Sequence, residues 1–140
     1  MKLDVYFIDA FADKVFTGNP AAVIFTDIDD EKLMQKIASE NNLSETAFVN
    51  LTKDTNYIRW FSPLKEVDLC GHATLASGFV YFNLINKDEN EVTFMSASGE
   101  LSVKRNDDLY ELNFPKDNLI KIDLKDQVAD SIGVKPIETY

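Results

Sequence analysis

The sequence is poor in cysteine and in basic residues, and both shortages limit what the chain can do. Its single cysteine, Cys70, cannot form an internal disulfide, which favours a reducing compartment. The chain has 14 lysines and arginines against 24 aspartates and glutamates, a formal net charge of -10. Nucleic acids and anionic membrane surfaces bind clustered positive charge. We therefore expect neither nucleic acid nor a membrane as a partner.

Long hydrophobic runs and nucleotide-binding motifs are also missing. The N-terminal segment 1–5 lacks the apolar stretch of a signal peptide, and the longest apolar stretch, residues 69–85, is too short and too polar to span a bilayer. Without a P-loop or a Gly-x-Gly-x-x-Gly segment, no phosphate or nucleotide cofactor is expected. The 140 residues are 45% hydrophobic, enough for one globular domain with a core. These features predict a cytoplasmic protein.

Apolar segments separated by turn residues predict a mixture of strands and helices. Residues rich in β-formers predict strands over 3–8, 21–25, 45–51 and 56–61, with turns at 17–20 and 53–55. Asp29 and Asp30 offer an N-cap to a helix over 31–41, whose apolar residues share one face. That first helix is therefore expected to be amphipathic and structural.

A second helix is predicted from Gly71 to Ile85, and it differs from the first. Its apolar residues are distributed around the axis, which is typical of a buried helix. Fifteen residues give a length of roughly 22 Å, which suits a central helix enclosed by a curved sheet. Further strands are predicted over 92–95, 101–104 and 109–114, with turns at 97–99 and 106–107, and a short amphipathic segment over 127–132.

Cys70-Gly71-His72 places the only cysteine and the only histidine two residues apart at the start of that apolar helix. The unpaired N–H groups and the positive dipole end of a helix favour a bound carboxylate or a thiolate. The segment predicts a site for a small anion, with Cys70 abstracting a proton and His72 transferring one or holding a carboxylate. Alternatively, Cys70 is a small buried apolar residue and His72 a capping residue. One cysteine and one histidine without further clustered ligands do not complete a zinc site, so no metal is expected.

Two other segments are candidates for the same site. Glu45 follows Ser44 at the start of an apolar strand, where a carboxylate can act as general acid or base. The alternative is a strand-end glutamate that points into solvent. Gly18-Asn19-Pro20 can present N–H groups to a ligand, because Gly and Asn tolerate special backbone angles; a plain turn is the alternative.

Three blocks, residues 17–23, 42–48 and 68–75, resemble in their order and spacing the PhzF-like isomerase family of phenazine biosynthesis. The resemblance extends to Ser98-Gly99 and to Asn113-Phe114-Pro115. It implies an α+β fold, a diaminopimelate epimerase-like lobe in which a mixed, barrel-like sheet wraps around a central helix. It also implies that Glu45 is the acid/base residue, that the reaction needs no cofactor, and that the substrate is a small carboxylate. The expected substrate-binding residues are Asn19, Ser44, Cys70, Gly71 and His72.

The family pattern is only half present in this chain. Family members are roughly twice as long, a size that suits two domains, and their second lobe supplies an Asp-Pro-x-Thr-Gly-Ser-type motif that is missing here. We expect residues 1–115 to form the N-terminal lobe, and 116–140 a linker and the beginning of a second lobe. The leading hypothesis is an isomerase or epimerase that moves a proton. The alternatives are a module without catalysis that pairs with itself, as a homodimer, or with a second lobe, and a non-catalytic ligand-binding protein.

Overall fold

The structure is a computed structural model that describes residues 1–14, 16–116 and 118–140. Eight strands form one sheet: β1 Tyr6–Ala10, β2 Asn19–Phe25, β3 Glu45–Asn50, β4 Tyr57–Phe61, β5 Glu66–Val67, β6 Glu91–Ser96, β7 Gly99–Asn106 and β8 Leu109–Asn113. The α-helices are α1 Glu31–Asn41, α2 Gly71–Val80 and α3 Lys125–Ile132. In the described part of the chain, no helix has the length and apolar character needed to cross a membrane.

The sheet curls around α2. Its strand order is β1-β2-β3-β4-β6-β7-β8, with the short β5 paired to β4 outside this path. The β2–β3 and β4–β6 pairs are parallel, and the other pairs are antiparallel. Helix α2 contacts both outermost strands of this order, β1 and β8, as well as β2, β3 and β7. The predicted α+β fold, a mixed barrel-like sheet around a central helix, is therefore confirmed.

The alternation of side chains along β3 decides which residues face α2. Ala47 and Val49 are buried in the core cluster that includes α2, whereas Phe48 packs with Met34 and Ala38 of α1 on the opposite face. Residues two positions apart in a strand share a face. Glu45, two positions before Ala47, therefore starts β3 on the α2 side of the sheet.

The predicted bounds of α1 are confirmed, and the structure selects one of the two candidate caps. The Asp30 carboxylate accepts hydrogen bonds from the backbone N–H groups of Lys32 and Leu33 at 3.0 and 3.2 Å. Asp29 does not cap the helix; its carboxylate lies 3.8 Å from Arg59 Nη1. The helix ends at Asn42, whose left-handed backbone lets its N–H donate to the Ala38 carbonyl.

Helix α2 begins at Gly71 as predicted, but its last turn differs from the prediction. Residues Tyr81–Ile85 form a π-helical turn, closed by a 2.8 Å hydrogen bond from the Asn86 N–H to the Tyr81 carbonyl. Leu84 and Ile85 are 53% and 43% exposed in this turn. Phe79, in the last turn of the regular helix, is also 38% exposed. The prediction that the helix is buried on all sides is therefore wrong for its C-terminal end.

Several predicted strand limits also need correction. β1 begins at Tyr6 instead of residue 3, and β2 begins at Asn19, inside the predicted turn. Gly18 has φ +84, a conformation that favours glycine at this tight approach to β1. Sequence patterns missed β5, since two residues are too few for a periodic signal. The predicted meander is confirmed, and α3 begins two residues before the amphipathic segment predicted at 127–132.

Candidate active site

The fold brings the start of β3 next to the start of α2. Glu45 is the first residue of β3 and Ser44 precedes it, while Cys70 is the N-cap and His72 the second residue of α2. In the parallel β2–β3 pair, Ala21 is opposite Glu45, which fixes the level at which Glu45 enters the curled sheet. Four of the residues predicted for the site therefore converge at one end of the central helix.

His72 is at the centre of this cluster. Its Nε2 lies 3.3 Å from Glu45 Oε2 and also 3.3 Å from Ser44 Oγ, and its Nδ1 lies 3.4 Å from Cys70 Sγ. The side chain of His72 is 10% exposed and that of Glu45 is 21% exposed. This contact does not support the alternative that Glu45 is a strand-end residue pointing into solvent.

Burial lowers the pKa of His72 below the ordinary value of 6.5, although the Glu45 carboxylate and a hydrogen bond with the Pro20 carbonyl oppose this effect. The ring is therefore neutral at pH 7. We infer from its partners that Nε2 carries the proton, because a carboxylate and a carbonyl oxygen can only accept. His72 then donates to Glu45 and leaves Nδ1 as an acceptor for the Cys70 thiol.

Cys70 is buried, and its environment favours the thiol form. Burial raises the pKa of Cys70 to about 11; the negative charge of Glu45 and a hydrogen bond with that carboxylate add to the increase. Backbone N–H groups of Ala73 and His72 oppose the increase. A group with this pKa holds its proton at pH 7, which favours Glu45 over Cys70 as the proton acceptor.

The N-terminus of α2 adds hydrogen-bond donors to the site. The first N–H groups of a helix have no intrahelical acceptor, and they attract anions. Gly71 contributes space here, because a Cβ at this position would lie 2.6 Å from Cζ of Phe114. In the sequence, Phe114 stands out only as part of the block Asn113-Phe114-Pro115 shared with the family. Its contact with Gly71 could not be predicted, because that contact depends on how β8 packs against α2.

Asn19 is less directly connected to the cluster than predicted. It begins β2, is half-buried, and pairs with Ala10 of β1. Within residues 1–14, 16–116 and 118–140, its side chain makes no hydrogen bond with Ser44, Glu45 or His72. The adjacent residue is involved instead, because the Pro20 carbonyl accepts a 3.5 Å hydrogen bond from Ser44 Oγ.

Glu45, Cys70 and His72 also form a group that can coordinate a cation. One donor atom from each residue lies within 4.8 Å of the other two. Cys70 and His72 alone, which are neighbours in the sequence, do not complete a metal site. The fold supplies Glu45 as a third donor from a different element, which sequence spacing did not reveal.

This arrangement combines a carboxylate with a positively polarised helix end. Glu45 can exchange a proton with a bound molecule, and His72 can donate to a carboxylate from its neutral ring. The helix N-terminus and Ser44 can hold a negatively charged group beside Glu45. The chemistry that these groups support together is proton transfer to or from carbon next to a carboxylate.

Comparisons with known proteins show the family to which the chain belongs. Residues 8–133 match the family described as phenazine biosynthesis-like protein. An uncharacterized isomerase of Pseudomonas aeruginosa is 45% identical over 141 residues, which cover 99% of this chain and 54% of that protein. The chain therefore spans about half the length of the curated relatives that it matches.

Solved structures show the same relationship. A PhzF-family phenazine biosynthesis protein of Enterococcus faecalis matches with a TM-score of 0.87 and 44% identity, covering 100% of this chain and 54% of that one. One from Bacillus anthracis matches with a TM-score of 0.76 and 28% identity, covering 96% and 48%. These likenesses confirm the α+β, diaminopimelate epimerase-like fold.

Proposed function

The chain belongs to the phenazine biosynthesis-like family, and we propose that it carries the acid/base half of an isomerase that moves a proton on a small carboxylate without a cofactor. The observation that carries this proposal is the 3.3 Å contact between Glu45 Oε2 and His72 Nε2 at the start of α2. This contact supports the proposal, because the Glu45 carboxylate, our candidate proton acceptor, lies beside a helix start suited to an anion.

In the proposed reaction, the Glu45 carboxylate removes a proton from a substrate carbon. The electron pair of the broken C–H bond stays on the substrate and delocalises toward its conjugated carboxylate-bearing system. The protonated Glu45 then returns the proton to another carbon or to the opposite face. No electrons leave the substrate, so the reaction needs no oxidant or reductant.

The neighbouring residues bind and orient in this proposal. The N–H group of Gly71, at the start of α2, holds the substrate carboxylate, and Ser44 donates to it. His72, through Nε2–H, fixes the orientation of the Glu45 carboxylate. Cys70 remains a thiol that packs against the His72 ring, and Asn19 contributes from the start of β2 at the margin of the site.

The second half of the site is proposed to come from outside residues 1–140. A proton-transfer site needs groups on both sides of the substrate, and the matched relatives are about twice as long as this chain. We place residues 1–115 in the first lobe and 116–140 in a linker that leads to a second one. A homodimer is the other arrangement that would cover the exposed end of the site.

Solvent deuterium incorporation tests the proposed function. Small cyclic and amino-acid-like carboxylates are incubated with the chain in D₂O, and carbon-bound deuterium is measured by mass spectrometry. Incorporation into one of them that is lost in Glu45→Gln supports the isomerase. If no carboxylate exchanges with the wild-type chain, either alone or joined to the second half of a full-length relative, the isomerase proposal fails and the non-catalytic assembly module takes its place.

One observation favours that second candidate. Apolar side chains are exposed near the ends of the strands, including Phe7 at 64%, Phe11 at 74% and Leu64 at 90%. Exposed aromatic and aliphatic groups are common in protein interfaces. Sedimentation velocity at micromolar concentration distinguishes the arrangements, since a stable compact monomer contradicts self-pairing.

A further inference from the structure

We propose that Glu45, Cys70 and His72 form a three-ligand site for a thiophilic divalent cation such as Zn²⁺, and that this cation inhibits the chain. The ligand site follows from the positions of the three side chains and does not depend on the reaction. Its inhibitory effect rests on the proposed function of Glu45. Zinc would therefore be a regulator of this site and not a cofactor.

The distances between the donor atoms suit a tetrahedral ion. Zinc binds sulfur at about 2.3 Å and nitrogen or oxygen at about 2.0–2.2 Å, so adjacent ligands in a tetrahedron are roughly 3.3–3.6 Å apart. Cys70 Sγ and His72 Nδ1 are 3.4 Å apart, which suits two ligands of one ion. Glu45 Oε2 lies 3.3 Å from the other ring nitrogen, Nε2, so the Glu45 side chain must rotate toward the Nδ1 side to complete the site. One donor atom from each of the three residues lies within 4.8 Å of the other two, which is within reach of such a rotation.

The chemistry of the donors selects the class of ion. A thiolate, an imidazole and one carboxylate suit Zn²⁺ or Co²⁺, whereas Mg²⁺ and Ca²⁺ prefer shells of oxygen ligands. On binding, the Cys70 S–H bond breaks, the thiolate binds the cation, and the proton is released to solvent. Three protein ligands leave the fourth position for water or for a substrate carboxylate.

The fold holds these donors on two elements that are fixed independently. Cys70 and His72 are at the start of α2, where the Thr74 hydroxyl donates to the Cys70 carbonyl at 2.6 Å. Glu45 begins β3, which is paired on both sides, to β2 and to β4. A cation would therefore connect the central helix to the sheet.

A bound cation would remove both functions of the proposed site. A carboxylate that coordinates Zn²⁺ is a weaker base and is turned toward the cation, and His72 can no longer hold it in place. The cation would therefore stop proton transfer, and it would compete with the substrate or trap its carboxylate at the fourth position.

Cobalt titration of the purified 140-residue chain tests the ligand set directly. Co²⁺ bound by a thiolate gives a ligand-to-metal charge-transfer band, and Cys70 is the only cysteine that could produce it. We expect a 1:1 titration, displacement of Co²⁺ by Zn²⁺, and no displacement by an equal concentration of Mg²⁺. Absence of the band would overturn the proposal.

Variants then assign the other ligands. Cys70→Ser should abolish the band, and Glu45→Gln and His72→Gln should each weaken Co²⁺ binding at least tenfold. Glu100→Gln makes the same chemical change at an exposed position of β7 and should leave binding unchanged. Equal affinity in wild type and Glu45→Gln would contradict the three-ligand site. Circular dichroism verifies that each variant is folded, and the NMR signals of the single imidazole should shift with Zn²⁺ in the wild-type chain.

This test separates the cation site from the proposed function, because the titration needs no turnover. Cation binding without deuterium exchange, in the chain alone and in the chain joined to the second half of a full-length relative, would support the site and contradict the isomerase. Deuterium exchange without cation binding would support the isomerase and contradict the site. If both occur, Zn²⁺ should suppress deuterium incorporation at the concentrations that displace Co²⁺, and a chelator should restore it. Unchanged incorporation with Zn²⁺ bound would contradict inhibition.

Discussion

The carboxylate of Glu45 and the imidazole of His72 meet across two elements, with Oε2 and Nε2 3.3 Å apart. Glu45 enters from the first position of β3, and His72 from the first turn of the helix that the sheet encloses. This contact joins the Glu45 carboxylate, the proposed proton acceptor, to the positively polarised end of α2. The expected behaviour of the site follows from the burial and charge of these two groups.

The stability of the chain should depend on pH through His72. Its pKa is lower in the folded chain than in the unfolded chain, so the unfolded state binds more protons below about pH 6.5. The free energy of unfolding should therefore decrease as the pH falls from about 7.5 through 6.5 toward the folded pKa. Urea unfolding of wild type and His72→Gln over this pH range measures how much His72 contributes to the pH dependence of the free energy of unfolding. The variant should lack that contribution. An identical pH profile would contradict the assigned burial.

Cys70 should react slowly with alkylating reagents. With a pKa of about 11, its thiolate fraction near pH 8 is about a hundredfold lower than that of an ordinary cysteine. We expect iodoacetamide to modify the folded chain at least tenfold more slowly than the urea-unfolded chain. Glu45→Gln should accelerate modification of the folded chain, because Glu45 contributes to the raised pKa. Equal rates for folded and unfolded chain would show an exposed, activated thiol instead.

Glycines on two sides of α2 should respond differently to alanine. A Cβ at Gly78 would lie 2.5 Å from Cγ1 and 2.9 Å from Cβ of the buried Val103. Gly78→Ala should therefore lower the free energy of unfolding by about 1–3 kcal/mol. At Gly71 the added methyl group meets only the ring end of Phe114, which is 46% exposed and can move, so Gly71→Ala should cost less. Chemical denaturation measures the free energy of unfolding of both variants. Adding Val103→Ala to Gly78→Ala should recover part of the lost stability, because it shortens the side chain that the added methyl group meets.

The cap of α1 can be tested with a neighbouring aspartate as control. Asp30→Ala removes two hydrogen bonds to the helix N-terminus and should cost about 1 kcal/mol of folding free energy. Asp29→Ala removes only an exposed ion pair and should cost about 0.5 kcal/mol or less. Thermal unfolding of the two variants at equal pH makes the comparison. A larger loss for Asp29→Ala would contradict the assignment of the cap.

Local sequence signals predicted the elements that depend on local chemistry. Both ends of α1 follow from Asp30 and Asn42, whose cap interactions involve residues within four positions. The π-helical turn after Val80 escaped prediction, because it depends on how Tyr81 and its neighbours pack against the sheet. The same holds for β5, whose two residues are a strand only because β4 is beside them.

The candidate site required more than local patterns. The apolar helix after His72 predicted an anion-binding helix start, and the family resemblance supplied the link to Glu45. Nothing in residue spacing reveals that Glu45 and Cys70 share one cluster, because the β2–β3 register and the curl around α2 bring them together. The third cation donor was missed for the same reason.

Deuterium incorporation by matched glutamate variants shows whether Glu45 is the group that moves the proton. If it is, Glu45→Gln should reduce the rate of solvent deuterium incorporation into an exchanging carboxylate by at least about a hundredfold. Glu100→Gln, the same change at an exposed position of β7, should retain the wild-type rate. An incorporation rate in Glu45→Gln equal to that of wild type would rule out Glu45 as the proton-transfer group.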